Sequence, residues 1–158
     1  MAAELPDIAG VLMTVLQRVP SAQQPLLIAF AERLAADRYR GWATQAIDQQ
    51  DRSGLFACAD REEEIATRIE SLYPNAKSIQ QDLLAANPDL LEINRTLFAP
   101  LTLEQQFRLQ AQGERLGAAT WRAFAAHADE PRVRDVFLAC APLEERSAEL
   151  LEKLTRTS

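Results

Sequence analysis

The sequence contains little that interrupts a helix and little that could crosslink one. Only 5 of its 158 residues are glycine and 8 are proline, so long stretches lack the two residues that break regular structure. Two cysteines, Cys58 and Cys140, are too few for a disulfide framework or a zinc motif. With one histidine, His127, no base lies within reach of Ser53 or Ser147, which excludes a serine hydrolase.

Charge and hydropathy exclude further classes of protein. There are 17 Lys and Arg against 23 Asp and Glu, for a net charge of −6, and no basic cluster, which argues against a nucleic-acid partner. No run of about 18 apolar residues is present, as a membrane span would require. Residues 8–16 are mostly apolar, but Glu4 and Asp7 precede them where a signal peptide needs positive charge. We therefore expect a reduced, cytoplasmic protein without a membrane or nucleic-acid partner.

Alanine and leucine dominate what is present. The chain has 27 Ala and 22 Leu, which are the strongest helix-forming residues. Its length is that of one globular unit. The composition predicts a single all-α domain over residues 1–158.

Proline and capping residues divide the first half of the chain. An amphipathic helix is predicted over 5–18, before Pro20. Ser21 is a candidate N-cap for a long helix that carries Pro25 in its first turn and extends to about Gln49.

The rest of the chain is divided in the same way. Asp51 or Ser53 is expected to cap a second long helix, and residues 75–101 form a partly helical crossover. Thr102 opens a capping box at the start of a third long helix. Asp129 is expected to cap the fourth.

The two predicted hairpins are related in sequence. Residues 23–72 align with 105–154 without a gap at an offset of 82, and 20 of the 50 positions are identical. Such identity exceeds what a shared Ala-rich composition produces, and it indicates a duplicated hairpin. The shared segments include Glu32-Arg33-Leu34 with Glu114-Arg115-Leu116, Ala57-Cys58-Ala59 with Ala139-Cys140-Ala141, and Glu62-Glu63 with Glu144-Glu145.

Each long helix carries one glutamate on its apolar stripe. Glu32 shares a stripe with Tyr39 and Trp42, and Glu114 shares one with Gly117, Trp121 and Phe124, while Glu62 and Glu144 lie one turn after Cys58 and Cys140. Helical periodicity therefore places four carboxylates on faces that should be buried. A buried carboxylate requires a counter-charge, a proton or a metal, because uncompensated desolvation is costly.

This pattern of one inward glutamate on each of four helices resembles that of the ferritin-like superfamily, in particular the rubrerythrin-type di-iron carboxylate proteins. Members are antiparallel four-helix bundles with a long crossover; two helices each give a Glu and two give Glu-x-x-His. The resemblance implies Glu32, Glu62, Glu114 and Glu144 as candidate metal ligands. It covers the hairpins over 23–72 and 105–154, without the N-terminal helix and the crossover.

The chain departs from this pattern at both histidines. Ile65 and Ser147 stand where the ligands should be, and neither side chain is a good ligand for a divalent ion. His127 lies 13 residues after Glu114, about 20 Å along the helix. The resemblance therefore implies a degenerate site without a tightly bound cofactor, with Fe or Mn as the ions to test.

Two functions follow from the resemblance. One is a non-catalytic or weakly catalytic protein that acts in small-molecule binding or in association with a second copy or another protein. The other is a carboxylate-only di-metal oxidase, peroxidase or hydroxylase, in which two reduced metals activate oxygen or peroxide between carboxylates.

The sequence leaves three interpretations of the glutamates open. They form a carboxylate-only metal site, or they are relics that are protonated or paired with arginines, or the helices are rotated so that most of them meet solvent. The charged run from Arg61 to Glu64 is compatible with the last interpretation.

Other side chains also have two interpretations. Cys58 and Cys140 are either thiol ligands or redox partners, or buried core residues. The aromatic residues near the glutamates are either an electron path or core packing. Pro142 should bend the last helix. The N-terminal helix lacks a basic face, so we expect it to dock on its own bundle or on a second copy.

Overall fold

The computed structural model describes residues 4–156, and these form seven α-helices and one short 3-10 turn with no β-strand. The predicted all-α class is confirmed. The helices are α1 (Ile8–Leu16), α2 (Gln24–Gln45), α3 (Gln49–Glu70), α4 (Ala76–Ala86), α5 (Leu90–Phe98), α6 (Leu103–His127) and α7 (Pro131–Arg156).

Several helix ends lie where the local sequence predicts them. Thr102 accepts a hydrogen bond from the N–H of Gln105, whose side chain accepts one from the Thr102 N–H, so the capping box is confirmed. Pro25 lies in the first turn of α2, and Pro131 begins α7. The α7 helix continues through Pro142.

Two predicted caps are wrong. Ser21 begins the 3-10 turn that precedes α2, and α2 itself has no side-chain cap. The cap of α3 is Asp48, whose carboxylate accepts from the Asp51 N–H at 3.0 Å, rather than Asp51 or Ser53. Asp51 instead places its charge in the first turn, where it complements the helix dipole.

The four long helices pack as two hairpins. The most extensive contacts are between α2 and α3, between α6 and α7, and between α3 and α7 across the two hairpins. The short helix α1 docks on α6 and α4 docks on α2, so α1 packs on its own chain.

The interior of the long helices contains two main apolar clusters. The first cluster includes Ile28, Ile65, Ile69, Trp121, Phe137 and Cys140. The second cluster includes Ala36, Tyr39, Leu55, Cys58, Leu109, Ala111 and Leu151.

A glutamate separates these clusters on every long helix. Along α2 the first cluster precedes Glu32 and the second follows it, and the same order holds around Glu144 on α7. Along α3 and α6 the order is reversed around Glu62 and Glu114. Therefore α2 and α7 run in one direction and α3 and α6 in the other. We call Glu32, Glu62, Glu114 and Glu144 the glutamate layer.

The duplicated sequence forms duplicated contacts. Within each hairpin, two arginines of the first helix pair with two glutamates of the second, at positions that differ by 82. These pairs are Arg33 with Glu70 and Arg115 with Glu152, and Arg40 with Glu63 and Arg122 with Glu145.

The repeat also extends to the short helices α1 and α5. Both have nine residues, and their bounds differ by 82. The Gln24 amide donates to the Leu16 carbonyl at 3.0 Å, and the Gln106 amide donates to the Phe98 carbonyl at 3.3 Å, again with an offset of 82. The structural repeat is thus a three-helix unit: α1–α2–α3 followed by α5–α6–α7.

Within residues 4–156, every helix is either too short or too polar to cross a membrane.

Candidate metal centre

The structure brings the four predicted glutamates together in the interior. Glu32 is 8% exposed, Glu62 is 0% exposed, and Glu114 and Glu144 are each 1% exposed. The interpretation in which most of them meet solvent is therefore wrong. The charged run on α3 is compatible with this burial because Glu62 points inward whereas Glu64 pairs with Arg68 outside.

Three of the glutamates are close enough to share one ion. Glu32, Glu62 and Glu144 each offer a carboxyl oxygen, and these three atoms lie within 4.8 Å of one another. Glu114 adjoins this triad, since its charge acts on the carboxyl groups of all three.

Two glutamates are held by hydrogen bonds through one oxygen. The Tyr39 hydroxyl and the Gln110 amide donate to Oε1 of Glu114 at 2.7 and 2.8 Å. The Trp121 indole N–H donates to Oε1 of Glu144 at 2.8 Å. Tyr39 and Trp121 are repeat-related, so each half supplies one aromatic donor to the layer.

Other oxygens of the layer lack donors. Both carboxyl oxygens of Glu62 and Oε2 of Glu114 are buried and receive no hydrogen bond from an amide, hydroxyl or indole group in the described part of the chain. A hydrogen bond between Glu62 and Glu32 requires that one of the two carboxyl groups be protonated. No arginine among residues 4–156 forms an ion pair with any of the four glutamates. An unsatisfied buried carboxylate is costly, so the layer needs protons or a cation.

The carboxyl groups themselves favour protonation when no cation is present. Burial, followed by the charge of Glu114, raises the pKa of Glu62 well above its ordinary 4.5. Burial, followed by the charge of Glu32, does the same for the pKa of Glu144. Burial also raises the pKa of Glu32.

A glycine makes room for Glu144. A Cβ atom placed on Gly117 would lie 2.6 Å from Oε1 of Glu144. Because α6 has no side chain at this point, the carboxyl group of Glu144 can approach its backbone and receive the Trp121 hydrogen bond.

Arg38 is the cation next to the layer, and sequence reasoning missed it. Its guanidinium donates to the Gln110 side-chain oxygen at 3.0 and 3.1 Å and to the Asn94 side-chain oxygen at 3.0 Å. It also lies 3.8 Å over the Phe98 ring. Burial lowers the pKa of Arg38 to about 10, so it remains charged at neutral pH. The sequence repeat does not point to Arg38, because the repeat-related residue is Thr120 and the arginine is not shared by the two halves.

The two positions that lack histidine have different surroundings. Ile65 is fully buried in the first cluster. Ser147 is also fully buried, and its hydroxyl accepts from Nε of Arg61 at 3.0 Å. The same guanidinium contacts the Cys58 sulfur at 3.2 Å. Neither position contributes a metal ligand.

The cysteines lie in the core. Cys58 and Cys140 are both free and buried, and they belong to separate apolar clusters. Burial raises the pKa of Cys140 to about 12, so its thiol stays protonated and is a poor nucleophile. His127 is exposed in the last turn of α6.

An apolar cavity reaches the layer from one side. It has a volume of about 180 Å³ and lies between α2 and α6, beneath α1 and α5. Glu32, Glu114 and Glu144 form part of its wall, and most of the other lining side chains are aliphatic or aromatic.

The donor set of the layer fits a divalent cation that prefers oxygen ligands. Ligand oxygens at about 2.3–2.6 Å from one ion are at most about 5 Å apart, which the triad satisfies. The oxygens of Glu62 and Glu114 that accept no hydrogen bond from a donor group add further candidate ligand atoms. A buried glutamate triad that could hold a metal ion is thus present.

Comparison of the chain with protein-family models, with curated proteins and with solved structures finds no match.

Proposed function

We propose that the chain is a ferritin-like four-helix bundle whose glutamate layer binds a divalent cation, Mn or Fe, without a histidine ligand. The helix directions support the fold. The segment that contains α4 and α5 connects the parallel helices α3 and α6, and a single long crossover is typical of ferritin-like bundles.

The observation that carries the cation site is the set of buried oxygens without donors. Glu62 is fully buried, and no described residue outside the layer donates an N–H or O–H to either of its oxygens. The group that it meets within hydrogen-bonding distance is another carboxyl group, that of Glu32. A carboxyl group in this state is stabilised either by a proton or by a cation, and three neighbouring carboxyl groups make a cation the more effective of the two above neutral pH.

The protein residues would hold the ligands in place. Tyr39 and Gln110 orient Glu114 through Oε1, which leaves Oε2 available to a cation. Trp121 orients Glu144 in the same manner. Such supporting hydrogen bonds keep ligand atoms at fixed positions.

The proposed role of the site is small-molecule binding with little or no catalysis, because the ligand set lacks the histidines of the family. The cavity that reaches three of the glutamates favours one alternative, a carboxylate-only di-metal oxidase, peroxidase or hydroxylase. A bound pair of redox-active metals would supply the electrons for that chemistry.

Metal analysis tests the proposal. The protein is produced with Mn or Fe in the medium, and bound metal is measured per chain beside two variants. We expect about one or two bound ions per chain, a large loss in Glu62→Gln, and no loss in Glu64→Gln, which changes an exposed residue two positions away. A metal-free wild-type protein, or equal metal in both variants, would contradict the proposal.

A further inference from the structure

The apolar cavity beside the glutamate layer has two chemically different ends. α1 and α5 cover it at repeat-related positions: Ile8 corresponds to Leu90, Val11 to Ile93 and Val15 to Leu97, and all six line the cavity. The cavity therefore lies between the two halves of the duplicated chain.

The two halves of the repeat differ in the polarity of three residues that line the cavity. Arg38, Asn94 and Gln110 line one end and are hydrogen-bonded to one another. Their repeat-related residues are Thr120, Leu12 and Ile28, which line the other end. In each of these three pairs, one half of the repeat has a polar residue and the other half has a less polar one.

The polar end also lies near the protein surface. A shallow depression shares Leu34, Arg38, Asn94 and Phe98 with the cavity, and its other residues include Arg95. A ligand entering from this depression would meet Arg38 first.

Arg38 is a cation without an acidic hydrogen-bond partner. Its three hydrogen bonds go to neutral amide oxygens, and the Gln110 amide separates it from Glu114. A guanidinium of this kind is well suited to a carboxylate. Most of the remaining cavity wall is aliphatic or aromatic, so among the described residues the cavity offers a carboxylate no other cationic partner.

We propose that this cavity binds a medium-chain monocarboxylate, with its carboxylate at Arg38 and Asn94 and its apolar chain towards Leu12 and Thr120. The volume of about 180 Å³ sets the chain length. A cavity of about 150 Å³ holds one benzene molecule, so this one accepts about six to eight carbons. The proposal does not depend on the proposed cation site.

Calorimetry on the full-length, metal-free protein with sodium octanoate tests the proposal. We expect one saturable site, with weaker binding of butanoate and of dodecanoate because the cavity is finite. Octanol should bind at least about tenfold more weakly than octanoate, since it lacks the charge that Arg38 recognises. An adventitious apolar site would bind octanol equally well, and octylammonium binding more tightly than octanoate would overturn the proposal.

Two variants, each compared with a control variant, locate the site. Arg38→Gln should weaken octanoate at least about tenfold and leave octanol unchanged, whereas Arg122→Gln, on an exposed arginine paired with Glu145, should change neither. Unchanged octanoate affinity in Arg38→Gln would overturn the proposal. If that variant does not fold, Ala31→Phe decides, because Ala31 lines the cavity and a phenyl ring there should abolish octanoate binding. The control for size is Ala123→Phe on the exposed face of α6.

Octanoate binding by protein that takes up no Mn would reject the proposed cation site alone. Mn uptake without octanoate binding would reject the carboxylate site alone.

Discussion

At the scale of single residues, the approach of Glu144 to α6 depends on the missing side chain of Gly117. The Cβ of an alanine there would meet the end of the Glu144 side chain at 2.6 Å. A flexible side chain can move away from such a contact, so the fold should tolerate the substitution while the carboxyl group leaves its position.

Gly117→Ala should therefore separate binding from stability. We expect Mn affinity to fall about 10- to 100-fold, as when groups that orient a ligand are lost, with only a small change in the midpoint of thermal unfolding. Isothermal titration and circular dichroism measure the two quantities. Gly41→Ala is the matched control, since apart from the adjacent backbone of α2 no atom lies within 4 Å of its Cβ position. It should stabilise α2 by about 0.5–1 kcal/mol and leave Mn affinity unchanged. Unaltered Mn affinity in Gly117→Ala would show that Glu144 is not a ligand.

Three adjacent glutamates show how far residue type alone can predict environment. Glu62 is fully buried, Glu63 pairs with Arg33 and Arg40 of the neighbouring helix, and Glu64 is exposed. Helical periodicity predicts which of the three points inward. It does not predict whether a buried carboxylate has an arginine partner, because that depends on another helix.

At the scale of helices, α1 and α5 occupy equivalent positions in the structural repeat, although their sequences share little identity. Over residues 8–22 and 90–104, Thr14 and Thr96 are the single identical pair. The equivalence is visible in the structure because Gln24 and Gln106 make the same bonds to the preceding turn. Apolar docking of a short helix constrains hydrophobicity more than residue identity, so clear sequence identity between the two halves is confined to the hairpins.

Removing these glutamines should have unequal effects. Gln106 also accepts a hydrogen bond from the Trp42 indole at 2.9 Å, whereas Gln24 bonds only to carbonyls in the described residues. We expect Gln24→Ala to destabilise the protein by about 1 kcal/mol and Gln106→Ala by about 2–3 kcal/mol, because it leaves the Trp42 N–H unsatisfied. Urea unfolding measures both, with the exposed Gln112→Ala as a control within about 0.5 kcal/mol of wild type. Equal losses at the two sites would contradict this role of Gln106.

At the scale of the whole molecule, the glutamate layer makes stability depend on pH. The pKa values of Glu32, Glu62 and Glu144 are raised by burial, so the folded protein holds protons that the unfolded chain releases above about pH 4.5. The stabilisation is complete below that pH and is lost as the pH rises through the raised values.

The metal-free protein should therefore lose stability as the pH rises above about 4.5, the ordinary glutamate pKa at which the unfolded chain begins to release these protons. Glu62→Gln, which keeps the shape without the ionisable proton, should reduce this slope and be more stable than wild type at pH 8 by about 1–3 kcal/mol. Glu64→Gln should retain the wild-type slope. Denaturant unfolding across the pH range measures these differences, and a wild-type protein whose stability rises steadily to pH 9 without metal would contradict protonation of the layer.

A bound cation should reverse this dependence. Deprotonated carboxylates bind the cation better, so added Mn should stabilise the protein more at pH 8 than at pH 5. A free concentration of 100 times the dissociation constant corresponds to about 2.7 kcal/mol. Thermal unfolding with and without Mn at the two pH values measures the effect, and an equal shift at both would indicate binding outside the layer.

Local chemistry in the sequence determined the helices and their apolar faces. The Ala and Leu content, the Thr102 capping box and the 3.6-residue periodicity act over a few neighbouring residues, and they place Glu32, Glu62, Glu114 and Glu144 on the apolar stripes of their helices. That these stripes face the interior and not solvent was decided by how the helices pack. The offset of 82 likewise shows the hairpin repeat without any coordinates.

Only the tertiary structure decided what surrounds those glutamates. Arg38 meets Asn94 and Gln110 from two other helices, Gly117 faces a carboxyl group of α7, and α1 and α5 enclose a cavity between the halves. These contacts join residues that are distant in the chain, and their geometry depends on how whole helices pack. Short-range propensity carries no information about such distances, whereas packing of the folded chain sets every one of them.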